Sequence, residues 1–442
     1  MKEAAPAFKV GGRARRRYSL TFKPSDGLVN IGFEIDGPPL PRQFPAMTKL
    51  TPATKKKLRA RSRLIHLGRN AEASFGFMNI PPYRGSTVLF PDYATLKSND
   101  QRYTYGTHGT PTSDALCEAW TSISGAAGTM LVPSGLAAII AAFTTALSAG
   151  DHLLVTDAAY QPARIYCNTI LKRMGVETTY YDPAIGAGIE TLFRDNTRAV
   201  FVEAPGSQSL DMQDVPAIAA AAKSRDVCVI MDNTWATPLF FSPHAHGVDL
   251  AVEAGTKYLS GHSDLLLGLV SANPDWFERL HRTVDLLTIP PGPEDVFLAL
   301  RGLRTMELRL REAERQALAL ARWLKARPEV LRVFHPALED HVGHAIWKRD
   351  FTGSSGLFSI VLNPAPDQAV AALLDGLELF GMGYSWAGFQ SLVMPFDCAK
   401  YRTATRWAPG GPCLRFSVGL EDIEDLKEDL DRGFTRLAAA TG

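Results

Sequence analysis

Lys257 stands in the run EAGTKYLSGHSD (253–264), among small and apolar residues rather than on a charged face. A lysine placed that way loses hydration, its pKa falls, and the neutral amine becomes competent for Schiff-base chemistry. On a solvated surface the same lysine is an ordinary charge. Upstream, Asp232 closes the apolar run DVCVIMD (226–232). A carboxylate in that position is costly unless a cation or several donors meet it. A protonated pyridine nitrogen, a metal ion or the start of the next helix each answers that need. Tyr160 follows a third apolar run, HLLVTD (152–157). Its ring either stacks on a planar ligand or packs half-buried. Earlier still, VPSGLAA (132–138) is a turn of small residues between a strand signal and a helix signal. There the Gly135 and Leu136 amides, with the Ser134 hydroxyl, form either an anion cradle or a plain connection.

Each group taken singly has a bland reading. As a set, in chain order, they are an anion cradle, an aromatic face, a buried carboxylate and an amine. That is the equipment with which a protein binds and tunes pyridoxal 5'-phosphate.

The elements that must position these groups follow from periodicity. GTMLVP, HLLVT, TRAVFVE and DVCVIMD read as short strands of a sheet covered on both faces. ALCEAW and GLAAIIAAFTTAL read as the helices between them. Strands alternating with helices imply βαβ units, so residues 112–293 are expected to form a large cofactor-binding domain around a mainly parallel sheet. After the break TIPPGPE (288–294), a long charged helix from Val296 to Ala326 is expected. A smaller α+β domain then runs to residue 442, with a strand in SSGLFSIVL and an amphipathic helix in EDIEDLKEDLDRGFTRL. Residues 51–111 read as an arm reaching a neighbouring subunit, opening on the helical pattern TKKKLRARSRLIHLG. The fold class expected is therefore α/β.

Composition narrows the function classes. The chain has 442 residues, 46% apolar and 21% charged, with 47 basic against 46 acidic side chains for a net charge of +1. That is a globular composition without the charge excess of a nucleic-acid or membrane-surface binder. The apolar run Met130–Leu147 is interrupted by Pro133, Ser134 and Gly135, unlike a bilayer span. Five scattered cysteines without CxxC spacing read as reduced thiols, which places the protein in the cytoplasm. Residues 1–50 are basic at their start, with Arg13, Arg15, Arg16 and Arg17. They read as a disordered extension or a transit peptide, or as sequence upstream of a start at Met47. His244 and His246 have HxH spacing near Asp249 and His262, but no Cys or Glu follows at ligand spacing, so no metal site is assigned.

With these residues in place, the chain from about residue 64 onward resembles the Cys/Met-metabolism family of fold-type-I pyridoxal-phosphate enzymes, in its β-lyase branch. The phrases that carry the likeness are DNTWA (232–236), TKYLSGHSD (256–264), EAPGS (203–207), YSWAG (384–388) and LRFSVGLED (414–422). RGSTV (84–88), HPA (335–337) and FTGSSGLFS (351–359) extend it. The resemblance implies that Lys257 binds the cofactor and shuttles a proton, and that Asp232 holds the pyridine nitrogen protonated. It further implies that Tyr160 stacks on the ring, and that Gly135, Leu136 and Thr256 bind the phosphate. Arg415 would grip the substrate α-carboxylate, with Ser385 and Trp386 lining the substrate side. Tyr105 would enter the site of a neighbouring subunit, which requires a homo-oligomer, expected to be a dimer of dimers. The implied reaction is β-elimination from cystathionine, giving homocysteine, pyruvate and ammonia, in methionine biosynthesis. Cystine or a cysteine S-conjugate, or the family's γ-elimination and γ-replacement reactions, are the alternatives within the class. A catalytically silent pyridoxal-binding regulator is the alternative outside it, but Lys257, Asp232, Tyr160 and Arg415 are all present.

One position departs from the family. Its phrase after the intersubunit tyrosine is Tyr-x-Arg, the arginine clamping the phosphate, and here Thr107 stands in that third place. His108, Arg102 and Arg84 are the nearby candidates to replace it. Gln390, where an acid is common, is a smaller departure.

Overall fold

A computed structural model describes residues 50–71 and 74–441, together with the strand pair Tyr18–Ser19 and Glu34–Ile35. The chain divides into two compact units, Met1–Lys49 and the remainder from Leu50. Apart from that strand pair, the expected disordered extension lies outside the described residues.

The larger unit is built on two sheets. The first has seven strands: β1 (Gly128–Val132), β2 (His152–Thr156), β3 (Glu177–Tyr181), β4 (Thr197–Glu203), β5 (Cys228–Asp232), β6 (Leu250–Ala254) and β7 (Gly268–Ala272). Their spatial order is β1-β7-β6-β5-β4-β2-β3. Every pairing is parallel except the two made by β7, which runs antiparallel to both β1 and β6. Side chains alternate across the sheet. Leu131, Leu154, Val200, Val229 and Ala251 enter one core, while Val132, Leu153, Phe201, Ile230 and Val252 enter the other. A sheet buried on both faces explains the nearly unbroken apolar runs that betray its strands in the sequence.

The second sheet has four antiparallel strands: β8 (Val330–Phe334), β9 (Leu357–Leu362), β10 (Leu392–Phe396) and β11 (Cys413–Ser417), in the order β8-β9-β11-β10. The C-terminal helix, α1 here (Ile423–Thr441), buries Leu426, Leu430, Phe434 and Leu437 in the core beneath it. That is the amphipathic spacing expected of a helix with one face on a core.

The expected single helix Val296–Ala326 is corrected by the structure. It is two helices, α2 (Pro293–Leu303) and α3 (Met306–Lys325), broken at Arg304 and Thr305. The cause is tertiary. Gly302 approaches Leu259 so closely that a Cβ there would sit 2.4 Å from the Leu259 carbonyl oxygen. The helical backbone stops at Thr305, and there the Arg304 side chain donates to the carbonyls of Leu64 at 2.6 Å and Leu67 at 2.8 Å. Residues 51–66 form two short helices, Pro52–Lys57 and Ala60–His66, in place of one continuous pattern.

Parallel strands put their carboxyl ends on one edge, where open α/β sheets hold ligands. β1 and the parallel strands β2, β4, β5 and β6 end there. Asp157, Tyr160, Glu203, Asp232 and Lys257 all follow or close those strands.

Candidate active site

The helix α4 (Gly135–Ala146) begins at this edge, with Ser134 as N-cap accepting from the Ala137 amide at 3.1 Å. Helix geometry leaves the Gly135 and Leu136 amides without an intrahelical acceptor, which makes the turn a ready anion site. Glycine is needed here. A Cβ at Gly135 would lie 2.7 Å from the Cβ of Ala254, at the end of β6, so the cradle and the strand leading to Lys257 could not pack together. Thr256, the other expected phosphate donor, uses its hydroxyl locally: it donates to the Leu267 carbonyl at 3.3 Å and accepts from the Leu267 amide at 3.1 Å.

Lys257 follows β6 in a tight turn, its amide donating to the Ala254 carbonyl at 3.0 Å. The side-chain amine donates to the Ser385 hydroxyl at 2.7 Å and stands 5.1 Å from the centre of the Trp386 ring. Its pKa is pushed down to about 8, chiefly by burial and then by the nearby Arg415 guanidinium, while Asp232 acts in the opposite direction. A substantial fraction of neutral amine is therefore available near physiological pH.

Asp232 ends β5, and its Oδ1 accepts from the Thr234 amide at 3.0 Å and hydroxyl at 2.6 Å. The Thr234 hydroxyl in turn accepts from the Ala254 amide at 2.9 Å, tying Asp232 to the strand end before Lys257. In ladder register Asp232 stands beside Glu203. Burial raises the Asp232 carboxyl, and Lys257 is the cationic neighbour that opposes this. Two further buried acids, Glu203 and Glu253, are pushed well above the usual carboxylate range, first by burial and then by Asp232. An additional cation beside Asp232, such as a pyridinium, suits the Asp232–Glu203 pair.

Tyr160 is 41% exposed at the mouth of the edge, its amide donating to the Glu203 carboxyl at 2.8 Å. Burial raises its hydroxyl, as do Asp232 and Glu203, while Arg415 lowers it. Arg415 comes from β11 of the small sheet and is 7% exposed. Its guanidinium donates to the carbonyls of Tyr384 at 2.9 Å and Ser385 at 3.3 Å, so Arg415 and the serine touching Lys257 are held together. The YSWAG segment turns sharply at Ala387, whose φ of 65° is unusual for a residue with a side chain. The Ala387 amide donates to Ser417 at 3.0 Å, and Trp386 packs edge-on against Tyr258 at 5.6 Å, which sustains that turn.

The structure thus brings Lys257, Asp232, Tyr160, Arg415, Ser385 and Trp386 to one edge, with the Gly135 cradle beside them. Tyr105 lies elsewhere. It is 47% exposed and lines a cavity of about 1030 Å³ together with Thr107, His108 and His281, but with none of Lys257, Asp232, Tyr160 or Arg415. Among the substitutes for the missing arginine, Arg84 is paired with Glu294 and Arg102 with Asp114. His108 packs edge-on to Tyr105 at 6.4 Å and uses Nδ1 on the Thr104 hydroxyl at 2.9 Å.

Sequence reasoning passed over Glu203 and Glu253. Glu203 closes an apolar strand as Asp232 does, and the same signal would have found it. Glu253 breaks the apolar pattern of β6. The HxH histidines are structural: His244 bonds the Val248 carbonyl and Ser271, and His246 bonds the Ser242 carbonyl. Among the described residues no group of His, Cys, Asp and Glu is arranged to hold a metal ion.

Chains similar to this one over most of its length are found in several organisms. A putative cystathionine β-lyase of Rhizobium johnstonii is 52% identical over 382 residues, covering 86% of this chain and 96% of that one. Cystathionine β-lyase MetC of Escherichia coli is 39% identical over 387 residues, covering 85% and 98%. The crystal structure of a Xanthomonas oryzae cystathionine γ-synthase superposes with a TM-score of 0.80 at 29% identity, covering 87% of this chain and 99% of that one. The family model described as Cys/Met metabolism PLP-dependent enzyme matches residues 61–435. With that match across the site just described, the chain belongs to the Cys/Met-metabolism family of pyridoxal-phosphate-dependent enzymes.

Proposed function

We propose that this enzyme is a carbon–sulfur lyase that cleaves cystathionine by β-elimination to homocysteine, pyruvate and ammonia, a step of methionine biosynthesis. The observation that carries the reading is the convergence of the Lys257 amine, the Ser385 hydroxyl and the Arg415 guanidinium from two different sheets.

When bound, pyridoxal phosphate supplies an aldehyde for the substrate amine and a ring that accepts the electrons of the substrate Cα–H bond. Lys257 is the amine that would hold that aldehyde. Its amine, with its lowered pKa, would take the substrate Cα proton and return a proton to the departing sulfur. Asp232 would keep the ring nitrogen protonated, and Tyr160 would cover the ring face. Gly135 and Leu136, with Thr256 if its hydroxyl turns from Leu267, would receive the phosphate. Arg415 binds the α-carboxylate with a planar fork that lysine cannot reproduce. Trp386 and Ser385 wall the side on which the thioether lies.

Tyr105 acts in the site of a neighbouring subunit, which its position away from Lys257 supports, so the enzyme works as a homo-oligomer, at least a dimer and by family likeness a tetramer. A cytoplasmic location fits five free cysteines, four of them buried. No helix among the described residues is long and apolar enough to cross a membrane. The decisive assay gives purified enzyme cystathionine and measures both keto acids. Pyruvate is the expected product; 2-oxobutyrate in its place would overturn β-elimination in favour of γ-elimination.

A further inference from the structure

Asp157 follows β2 directly, three positions before Tyr160, and is fully buried. Its carboxylate is saturated with donors. Oδ1 accepts from Arg164 and from the Thr403 amide, each at 3.0 Å. Oδ2 accepts from the Ala404 amide at 3.1 Å and from the amide and hydroxyl of Thr405, each at 2.8 Å. Burial would raise this carboxyl, but the Thr403 and Thr405 bonds, with Arg164, hold it below the usual range.

Arg164 is itself buried, its guanidinium 3.6 Å from the centre of the Tyr180 ring, and it also donates to the Tyr401 carbonyl. Beside it Arg402 reaches Ser209 and Asp211. The segment 401–405, between β10 and β11 of the small sheet, is therefore clamped to the ligand edge of the large sheet. On one side of the clamp is the turn that carries Tyr160. On the other the chain runs into β11 and Arg415.

A buried ion pair is weak evidence of stability, because desolvation offsets much of its attraction. What this one does is couple two positions. We propose that Asp157 is a positioning residue for substrate capture, which sets Arg415 relative to Tyr160 and Lys257 by fixing residues 401–405. The proposal rests on the reading of Arg415 as the carboxylate-binding residue.

The test uses holoenzyme variants Asp157→Ala and Asp157→Asn, with L-alanine and ethylamine as probes that differ by the carboxylate. In Asp157→Ala the amides of 403–405 should exchange with solvent faster, because their acceptor is gone. L-alanine binding should weaken roughly tenfold, the size of one charge-assisted hydrogen bond. Ethylamine binding and the cofactor's absorption should stay as in the parent, and turnover should show a raised KM with kcat little changed. Asp157→Asn, which still accepts from part of the loop, should fall between; it also carries the test if the alanine variant does not fold. Equal weakening of both probes, or unchanged L-alanine binding despite faster exchange, overturns the proposal. Arg415→Lys is the control. If it too leaves L-alanine binding unchanged, the carboxylate role of Arg415 fails and the clamp proposal with it; if it alone weakens L-alanine, only the clamp proposal fails.

Discussion

The amine of Lys257 donates to the hydroxyl of Ser385 across 2.7 Å, joining a turn after the large sheet to a loop held by the small one. Neither residue is near the other in the chain, and Arg415 is bound to the same loop through the Ser385 carbonyl. The loop at Ser385 thus holds both Lys257 and Arg415.

Lys257 should carry the cofactor. Borohydride reduction and peptide mapping should find the pyridoxyl group on Lys257, and Lys257→Ala should abolish turnover. Only a neutral amine attacks an aldehyde, so cofactor capture by the apoprotein should accelerate as pH rises through about 8. A midpoint near that of an ordinary lysine, or a label on another lysine, would remove Lys257 from its role.

Tyr105 should work across subunits. Mixing Tyr105→Phe with Lys257→Ala protein should restore part of the activity, since hybrid oligomers would contain one intact site. No recovery after demonstrated subunit exchange would count against a shared site.

Thr107 should make the cofactor easier to lose. A missing arginine–phosphate contact corresponds to roughly 1.5–3 kcal/mol, or one to two decades of affinity. With Arg84 and Arg102 engaged by Glu294 and Asp114, His108 is the remaining substitute beside Tyr105. Thr107→Arg should slow dialysis of pyridoxal phosphate if nothing compensates; His108→Ala should hasten it if His108 does. Unchanged retention in both variants would refute both accounts.

Glu253 should limit stability at high pH. Both its oxygens are buried without a hydrogen-bond partner among the described residues, and burial with Asp232 raises its carboxyl well above the ordinary range. A carboxyl raised on folding contributes stability in full below its unfolded pKa, and that contribution is lost as pH climbs toward the folded value. Glu253→Gln lacks that loss, so its Tm should exceed the parent's by an amount that grows with pH. Between those two pKa values, each step of one pH costs the parent about 1.4 kcal/mol that the glutamine variant keeps. A Tm difference independent of pH would show that Glu253 is not the titrating group.

Much of this site could be read from the chain because its chemistry ends apolar strands. Asp232 and Lys257 are conspicuous as polar residues in or beside runs of Val, Ile, Leu and Ala, and the strand-to-helix turn at Gly135 is a local pattern. The missed features are those decided by distant partners. The α2–α3 break falls where Arg304 reaches the carbonyls of Leu64 and Leu67, and nothing in the local spacing announces it. β3, with the sequence ETTYY, is a partly exposed edge strand and lacks the apolar run that marks its neighbours. Asp157 and Thr405 are joined by folding alone, so neither carries a local sign of the other.

The antiparallel strand β7 has a consequence for how the enzyme is made. β1 is an edge strand, and its ladder partner in the sheet is β7, which also closes on β6. On a ribosome, β1 emerges well before β7, and through that interval its hydrogen-bonding edge and its apolar residues wait unpaired. Pairings between segments far apart in the chain form slowly, and exposed strand edges invite association with other chains. The half-made protein is thus most prone to aggregate between synthesis of Val132 and of Gly268, the same two residues whose eventual pairing sets the turn at Gly135 beside the strand that leads to Lys257.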